Sequence, residues 1–287
     1  MNNGGNFKEI SPALLTIGAG GFLGATSRFV LAGYFQPSAG TLAVNVIGSI
    51  LLGFLMYNSE YLGYVSPRTK MFFGIGFLGS FTTFSTFSVQ TFQMPPDLAL
   101  MNIMGNILLT LTGVFIGRGT VVYLATLREG TMLNPAASMD SRRYGSYVTP
   151  CIMGASILFL PMLGGISGLG AEILLVGAGG LIGAPSRFLV SGAIPRFREI
   201  PAGTLAVNTI GSFVLASLTF SSVSGSLVYF LSIGMLGSFT TFSTFAYETF
   251  KLLDEGEGAY SLLNVLLNVT LCLIGVALAY ALFGSAL

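Results

Sequence analysis

Two identical ten-residue stretches, LGSFTTFSTF at 78–87 and again at 236–245, hold the side chains best suited to chemistry in this chain. Each has three phenylalanines, three threonines and two serines. A hydroxyl is a neutral donor that can replace water around a small anion, and an aromatic ring is electropositive at its edge. Hydroxyls interleaved with ring edges make a low-charge route that attracts an anion weakly at each step, and conduction needs that weakness. Helix–helix packing accounts for some serine and threonine in any apolar span. It does not account for a ten-residue identity between two stretches whose surroundings have drifted.

Other polar groups sit at fixed places around these stretches. Asn45 and Asn208, each closing a GTLAVN segment, offer amide donors in apolar surroundings, for an anion or for a helix–helix hydrogen bond. Gly79 with Ser80, and Gly237 with Ser238, precede the hydroxyl runs, where a helix can open and leave carbonyls able to hold one cation. Arg28 and Arg187 close matching GxxGxxxR patterns, and bracing of a helix end is favoured over a pathway charge. Gly18, Gly21 and Gly24 are expected at close helix packing.

The elements that position these groups are membrane spans. Of 287 residues 53% are hydrophobic and 8% charged, and mean hydropathy is +0.81, against about 25% charged in soluble domains. A net charge of +1 gives no footprint for nucleic acid. The absence of histidine, with cysteine only at 151 and 272, disfavours zinc, haem and thiol chemistry, and no nucleophile stands beside a base. No enzyme and no organic cofactor is expected. Apolar stretches fall at 13–33, 40–57, 69–92, 98–118, 148–167, 172–194, 203–221, 226–250 and 259–283, each near the length of one crossing. Nine spans are expected, and the first is expected to be retained rather than cleaved as a signal peptide.

The chain repeats itself. GAGGFLGATSRF (18–29) returns as GAGGLIGAPSRF (177–188), and GTLAVNVIGS (40–49) as GTLAVNTIGS (203–212). Asn102 and Asn106 match Asn264 and Asn268. Two four-helix units, 1–118 and 172–287, flank a connector and linking helix over 119–171. An odd span between equivalents inverts the second unit. With the N-terminus in and the C-terminus out, Lys8, Arg68, Lys70, Arg118, Arg128, Arg142, Arg143, Arg187, Arg196, Arg198 and Lys251 fall inside and only Arg28 falls toward the other side. The fold class expected is an all-α integral membrane protein of two inverted repeats, a single chain acting as its own antiparallel pseudo-dimer in lipid, with the working site near the midplane.

GxxGxxxRF, GTLAVNxxGS and GxLGSFTTFSTF, in order and twice, closely resemble the fluoride channel family, in particular its fused two-repeat exporters. The resemblance implies two pores and a passive path for fluoride out of the cytoplasm across the plasma membrane, an exit for an anion trapped there after it enters as the neutral acid. It assigns pore phenylalanines to Phe84, Phe87, Phe242 and Phe245, and a hydroxyl track to Ser85, Thr86, Ser88, Ser243 and Thr244. Asn45 and Asn208 match its pore asparagine, with Asn106 and Asn268 as further candidates. It implies a central sodium ion on backbone carbonyls of Gly79, Thr82, Gly237 and Thr240, and matches its arginine to Arg28 and Arg187. Two departures are visible: Glu248 in the second repeat is Gln90 in the first, and Ser88 is matched by Ala246. The competing reading is a secondary transporter of fluoride or another small anion. Proton coupling would want an intramembrane carboxylate or histidine, which favours the channel.

Overall fold

The computed structural model describes residues 4–132, 170–221 and 223–284, with side chains over 11–127 in the first of these segments. The expected linking helix at 148–167 lies outside the described residues. Eight helices among them are long and apolar enough to cross a membrane, and their positions agree with the eight other stretches expected from sequence.

Each half supplies four spans. In the first they are α1 (Gly4–Gly33), α2 (Pro37–Tyr57), a third span made of α3 (Lys70–Leu78), α4 (Gly79–Phe81) and α5 (Ser85–Gln93), and α6 (Pro96–Met132). In the second they are α7 (Gly170–Ala193), α8 (Ala202–Phe220), a span made of α9 (Val228–Leu236), α10 (Gly237–Phe239) and α11 (Phe242–Asp254), and α12 (Gly258–Phe283). Proline opens α2 and α6, where its missing N–H costs no helical bond. The α3 and α9 segments have the wider π-type winding, which is frequent at functional sites.

The third span of each half breaks at the same place. Thr82 (φ −104°, ψ 159°) and Thr240 (φ −100°, ψ 157°) are extended. Their hydroxyls fold back onto Leu78 O (3.2 Å) and Leu236 O (3.3 Å), using the competition that threonine offers a helical backbone. Thr241 then restarts α11 by accepting from Thr244 N–H at 3.3 Å, the usual work of an N-cap.

Glycine brings the halves together. A Cβ on Gly21 of α1 would stand 2.5 Å from Gly180 O and 2.6 Å from the Ala184 methyl of α7, so only hydrogen fits at this crossing. Gly18 meets Leu181 and Pro185 while Phe22 reaches Gly177, so the contact register falls along α7 as it rises along α1. The ends agree: Tyr57 and Phe115 pack on Phe250, whereas Phe92 packs on Phe220 and Tyr280. The broken spans exchange partners: α5 packs against α8 and α12 of the other half, and α11 against α2 and α6.

Candidate functional site

The two breaks meet at the centre of the molecule. Ser85 Oγ lies 2.9 Å from Thr240 Oγ1, and Ser243 Oγ lies 2.9 Å from Thr82 Oγ1, so a serine in the first turn of α5 and of α11 bonds to the broken turn of the other half. Thr83 Oγ1 also reaches Thr240 at 3.3 Å, as Thr241 reaches Thr82. Thr86 and Thr244 bond locally to Thr83 and Thr241 at 3.2 and 3.1 Å. Six of these hydroxyl residues are buried, and Thr86 and Thr244 are partly buried.

Directly after the breaks stand the four phenylalanines, all with zero exposure. Phe84 and Phe242 stack with ring centroids 4.9 Å apart and planes 17° from parallel. Phe87 meets both at 5.3 and 5.2 Å, and Phe245 meets both at 5.2 and 5.3 Å, every pair edge-to-face. The structure thus gathers into one cluster rings that are 158 residues apart in sequence. Ring edges and the hydroxyls that follow them in the chain are groups of the kind that can solvate a small anion without formal charge.

Asn45 and Asn208 lie inside the protein and act on the breaks. Asn45 Oδ1 accepts from Thr83 N–H (3.0 Å), and its amide donates to Thr83 O (3.3 Å) and Asn106 Oδ1 (3.1 Å). Asn208 makes the same three bonds to Thr241 and Asn268 at 3.0, 3.2 and 3.2 Å. Both amide hydrogens are engaged, so the geometry is that of a brace replacing the hydrogen bonds lost at the break. The brace continues from Asn106 to Asn102, Thr91 and Phe87 O, and from Asn268 to Asn264, Thr249 and Phe245 O. Thr91 and Thr249 were not picked out in the sequence, although each occupies the same place in its half.

The arginines brace across the halves. Arg28 donates to Ser80 O of its own half and to Gly237 O (2.7 Å) and Ile233 O of the other, and Arg187 donates to Gly79 O and Ile75 O. Both are 5% exposed, and no carboxylate pairs with either among the described residues. Their charge is met instead by carbonyls at helix ends, where the backbone dipole is negative. Of the four carbonyls matched to a sodium ion, those of Gly79 and Gly237 therefore accept from guanidinium groups. Those of Thr82 and Thr240 accept no hydrogen bond from the described residues. As neutral oxygens at a break buried in protein, these two fit a monovalent cation.

The departures between halves also take physical form. Ser88 of α5 lies beside a group formed by Thr209, Ser212 and Cys272, with Thr209 Oγ1 3.9 Å from the sulfur. Ser88 bonds back to Phe84 O, and the buried Ser212 hydroxyl is set against the Cys272 sulfur, a weak partner. At the matching place beside Ala246 the residues are Val46, Ser49 and Thr110, whose hydroxyls bond back to Asn45 O and Asn106 O. Ser212 closes the GTLAVNTIGS motif without standing out from it, and Cys272 belongs to no motif. Gln90 and Glu248 stand one turn beyond Phe87 and Phe245, each with one buried oxygen lacking a partner.

Residues 15–118 and 174–280 match the family described as CrcB-like protein, Camphor Resistance (CrcB), once in each half. The chain belongs to the CrcB family. Over 109 residues this CrcB protein is 62% identical to Fluoride-specific ion channel FluC 1 of Methanosarcina barkeri, covering 38% of this chain and 94% of that relative. It is 56% identical over 119 residues to Fluoride-specific ion channel FluC 2 of Methanosarcina acetivorans, covering 42% of this chain and 94% of the relative. It is 48% identical over 120 residues to Fluoride-specific ion channel FluC of Methanocaldococcus jannaschii, covering 39% and 97%. No solved structure matches the CrcB chain. Its apolar helices and its family make it an integral membrane protein.

Proposed function

We propose that this chain is a fluoride-selective passive channel of the plasma membrane, carrying cytoplasmic fluoride out down its electrochemical gradient. The observation that carries the reading is the buried cluster of Phe84, Phe87, Phe242 and Phe245 against hydroxyls that cross-link the two helix breaks. The names of the relatives, each about the length of one half, support fluoride as the ion. The protein works by translocation rather than by bond chemistry.

Two inverted four-helix repeats, 1–118 and 172–287, are joined through 119–171, with nine spans, the N-terminus in and the C-terminus out. The antiparallel register of α1 on α7 supports the inversion. Because α5 packs on α8 and α12 while α11 packs on α2 and α6, each pore draws on both halves, and one chain is a complete pseudo-dimer.

Fluoride would shed water onto the serine and threonine hydroxyls and the positive ring edges. Arg28 and Arg187 would supply a positive background without contacting the ion, since their donors are held by carbonyls. Asn45 and Asn208 would hold the breaks in shape. The carbonyls of Thr82 and Thr240, with the shared carbonyls of Gly79 and Gly237, would hold a structural sodium ion. Bound there, sodium would add fixed positive charge between the halves.

The test is anion efflux from liposomes carrying purified protein at low density, with a potassium ionophore setting the voltage. Fast, voltage-driven loss of fluoride without loss of chloride is expected. Slow or proton-dependent loss would favour a transporter, and loss of neither ion would refute transport.

A further inference from the structure

Outside the central cluster a cavity of about 530 Å³ opens where α7, the link into α8, and α11 face the start of α3. Four cationic side chains line it, Lys70, Arg187, Arg196 and Lys251, against two carboxylates, Glu248 and Glu255. Lys251 is shared with Glu60 and Glu255 at 3.6 and 3.8 Å, Arg196 acts on Glu248 from beyond ion-pair distance, and Lys70 has no ion pair among the described residues. Thr241 and Thr244, at the restart of α11, also line the cavity, which therefore runs from the charged rim to the hydroxyl cluster.

The repeat gives this mouth an internal comparison. Positions related by the spacing of the two LGSFTTFSTF blocks put Val228 where the cavity has Lys70, Gln93 where it has Lys251, and Gln90 where it has Glu248. Arg196 sits in the Ala193–Ala202 link, which is longer than the Gly33–Pro37 link of the first half and has no basic residue opposite it. Only the arginine pair, Arg28 and Arg187, is kept at both ends. The two mouths of the molecule are thus chemically unlike, which two copies of one short chain related by exact two-fold symmetry could not achieve.

We propose that this cavity is an anion-collecting vestibule that makes ion flow through the protein direction-dependent. The proposal rests on the channel reading above, in whose orientation the cavity is the cytoplasmic mouth. Fixed positive charge in a cleft with low-dielectric walls raises the local concentration of a small anion and its rate of entry. When entry limits the current, fluoride entering at the Lys70, Arg196 and Lys251 mouth flows faster than fluoride entering opposite. Salt removes the difference, because the screening length falls from about 30 Å at 0.01 M to about 3 Å at 1 M.

Single-channel currents in planar bilayers, with equal fluoride on both sides, test this. At about 0.01 M fluoride the currents at equal and opposite voltages should differ by about twofold or more, and at about 1 M they should be nearly equal. The triple variant Lys70→Val, Arg196→Gln, Lys251→Gln should lose the low-salt difference and keep its high-salt current. Adding charge opposite, by Val228→Lys with Gln93→Lys, should also reduce it. Fluoride currents that are symmetric at both concentrations would overturn the vestibule and leave the channel standing. A difference that survives the triple variant would overturn it too, placing the asymmetry in the pores. Absence of any fluoride current would remove the channel reading and this proposal together.

Discussion

Arg28 of the first half donates to the carbonyl of Gly237 in the second, 2.7 Å away and 209 residues along the chain. Arg187 returns the bond to Gly79. The pair ties the halves at the place where each third span is about to break. Replacing Arg28 by Met leaves buried carbonyls unpaired, at about 1–3 kcal/mol for each group. A clear fall in the melting midpoint in detergent, followed by size-exclusion chromatography, is expected, and Arg28→Lys should recover only part because one ammonium cannot span three carbonyls. An unchanged midpoint would show that the tie does not hold the halves.

The stacked Phe84 and Phe242 separate packing from conduction. Phe84→Leu with Phe242→Leu keeps an apolar core but removes the ring edges. Fluoride efflux should drop at least about tenfold while the protein still elutes as a folded species, at a stability loss of about 1–3 kcal/mol. Retained efflux would mean that the rings serve packing alone.

Asn45 and Asn208 make the same bonds in the two halves, within 0.1 Å for each pair. Asn45→Ala and Asn208→Ala should therefore destabilise about equally, by about 2–4 kcal/mol, since each strands both polar groups of a threonine backbone. Unequal thermal shifts would contradict the equivalence of the braces.

Ser212 and Ser49 are matched in sequence but not in bonding. Ser49→Ala gives up a 2.7 Å bond to Asn45 O and should cost about 0.5–1 kcal/mol. Ser212→Ala removes a buried hydroxyl set against the Cys272 sulfur, a weak acceptor, so it should cost less than Ser49→Ala while fluoride efflux falls. A thermal shift and an efflux rate for each variant decide the matter, and a loss of stability in Ser212→Ala as large as that in Ser49→Ala would show that its hydroxyl is as strongly engaged.

Gly21 tests the crossing of α1 and α7. Gly21→Val places methyls where Gly180 O and Ala184 already stand, and the halves should fail to close, seen as loss of the monodisperse peak. The same change at Gly33, which has open space around it, should be tolerated there.

Spans, repeats and the polar motifs were legible along the chain because each has a local signature: about 20 apolar residues without charge, an identical block, a hydroxyl in a membrane helix. The positions of eight spans follow from those signatures alone, whereas the choice of Phe84, Phe87, Phe242 and Phe245 among the six rings of the two blocks rests on the family resemblance. Tertiary structure decided the partners. Asn45 could bind an anion or brace a helix until its amide hydrogens were found on Thr83 and Asn106, and Arg28 could serve either role until it was found on Gly237. The exchange of α5 and α11 between halves, and the gathering of Lys70 with Arg196 and Lys251 around one cavity, join the first half of the chain to the second. Local sequence sets which faces are apolar and where a helix yields. Which face meets which is a property of the packed whole, because close approach and hydrogen-bond satisfaction are settled only when both partners are in place.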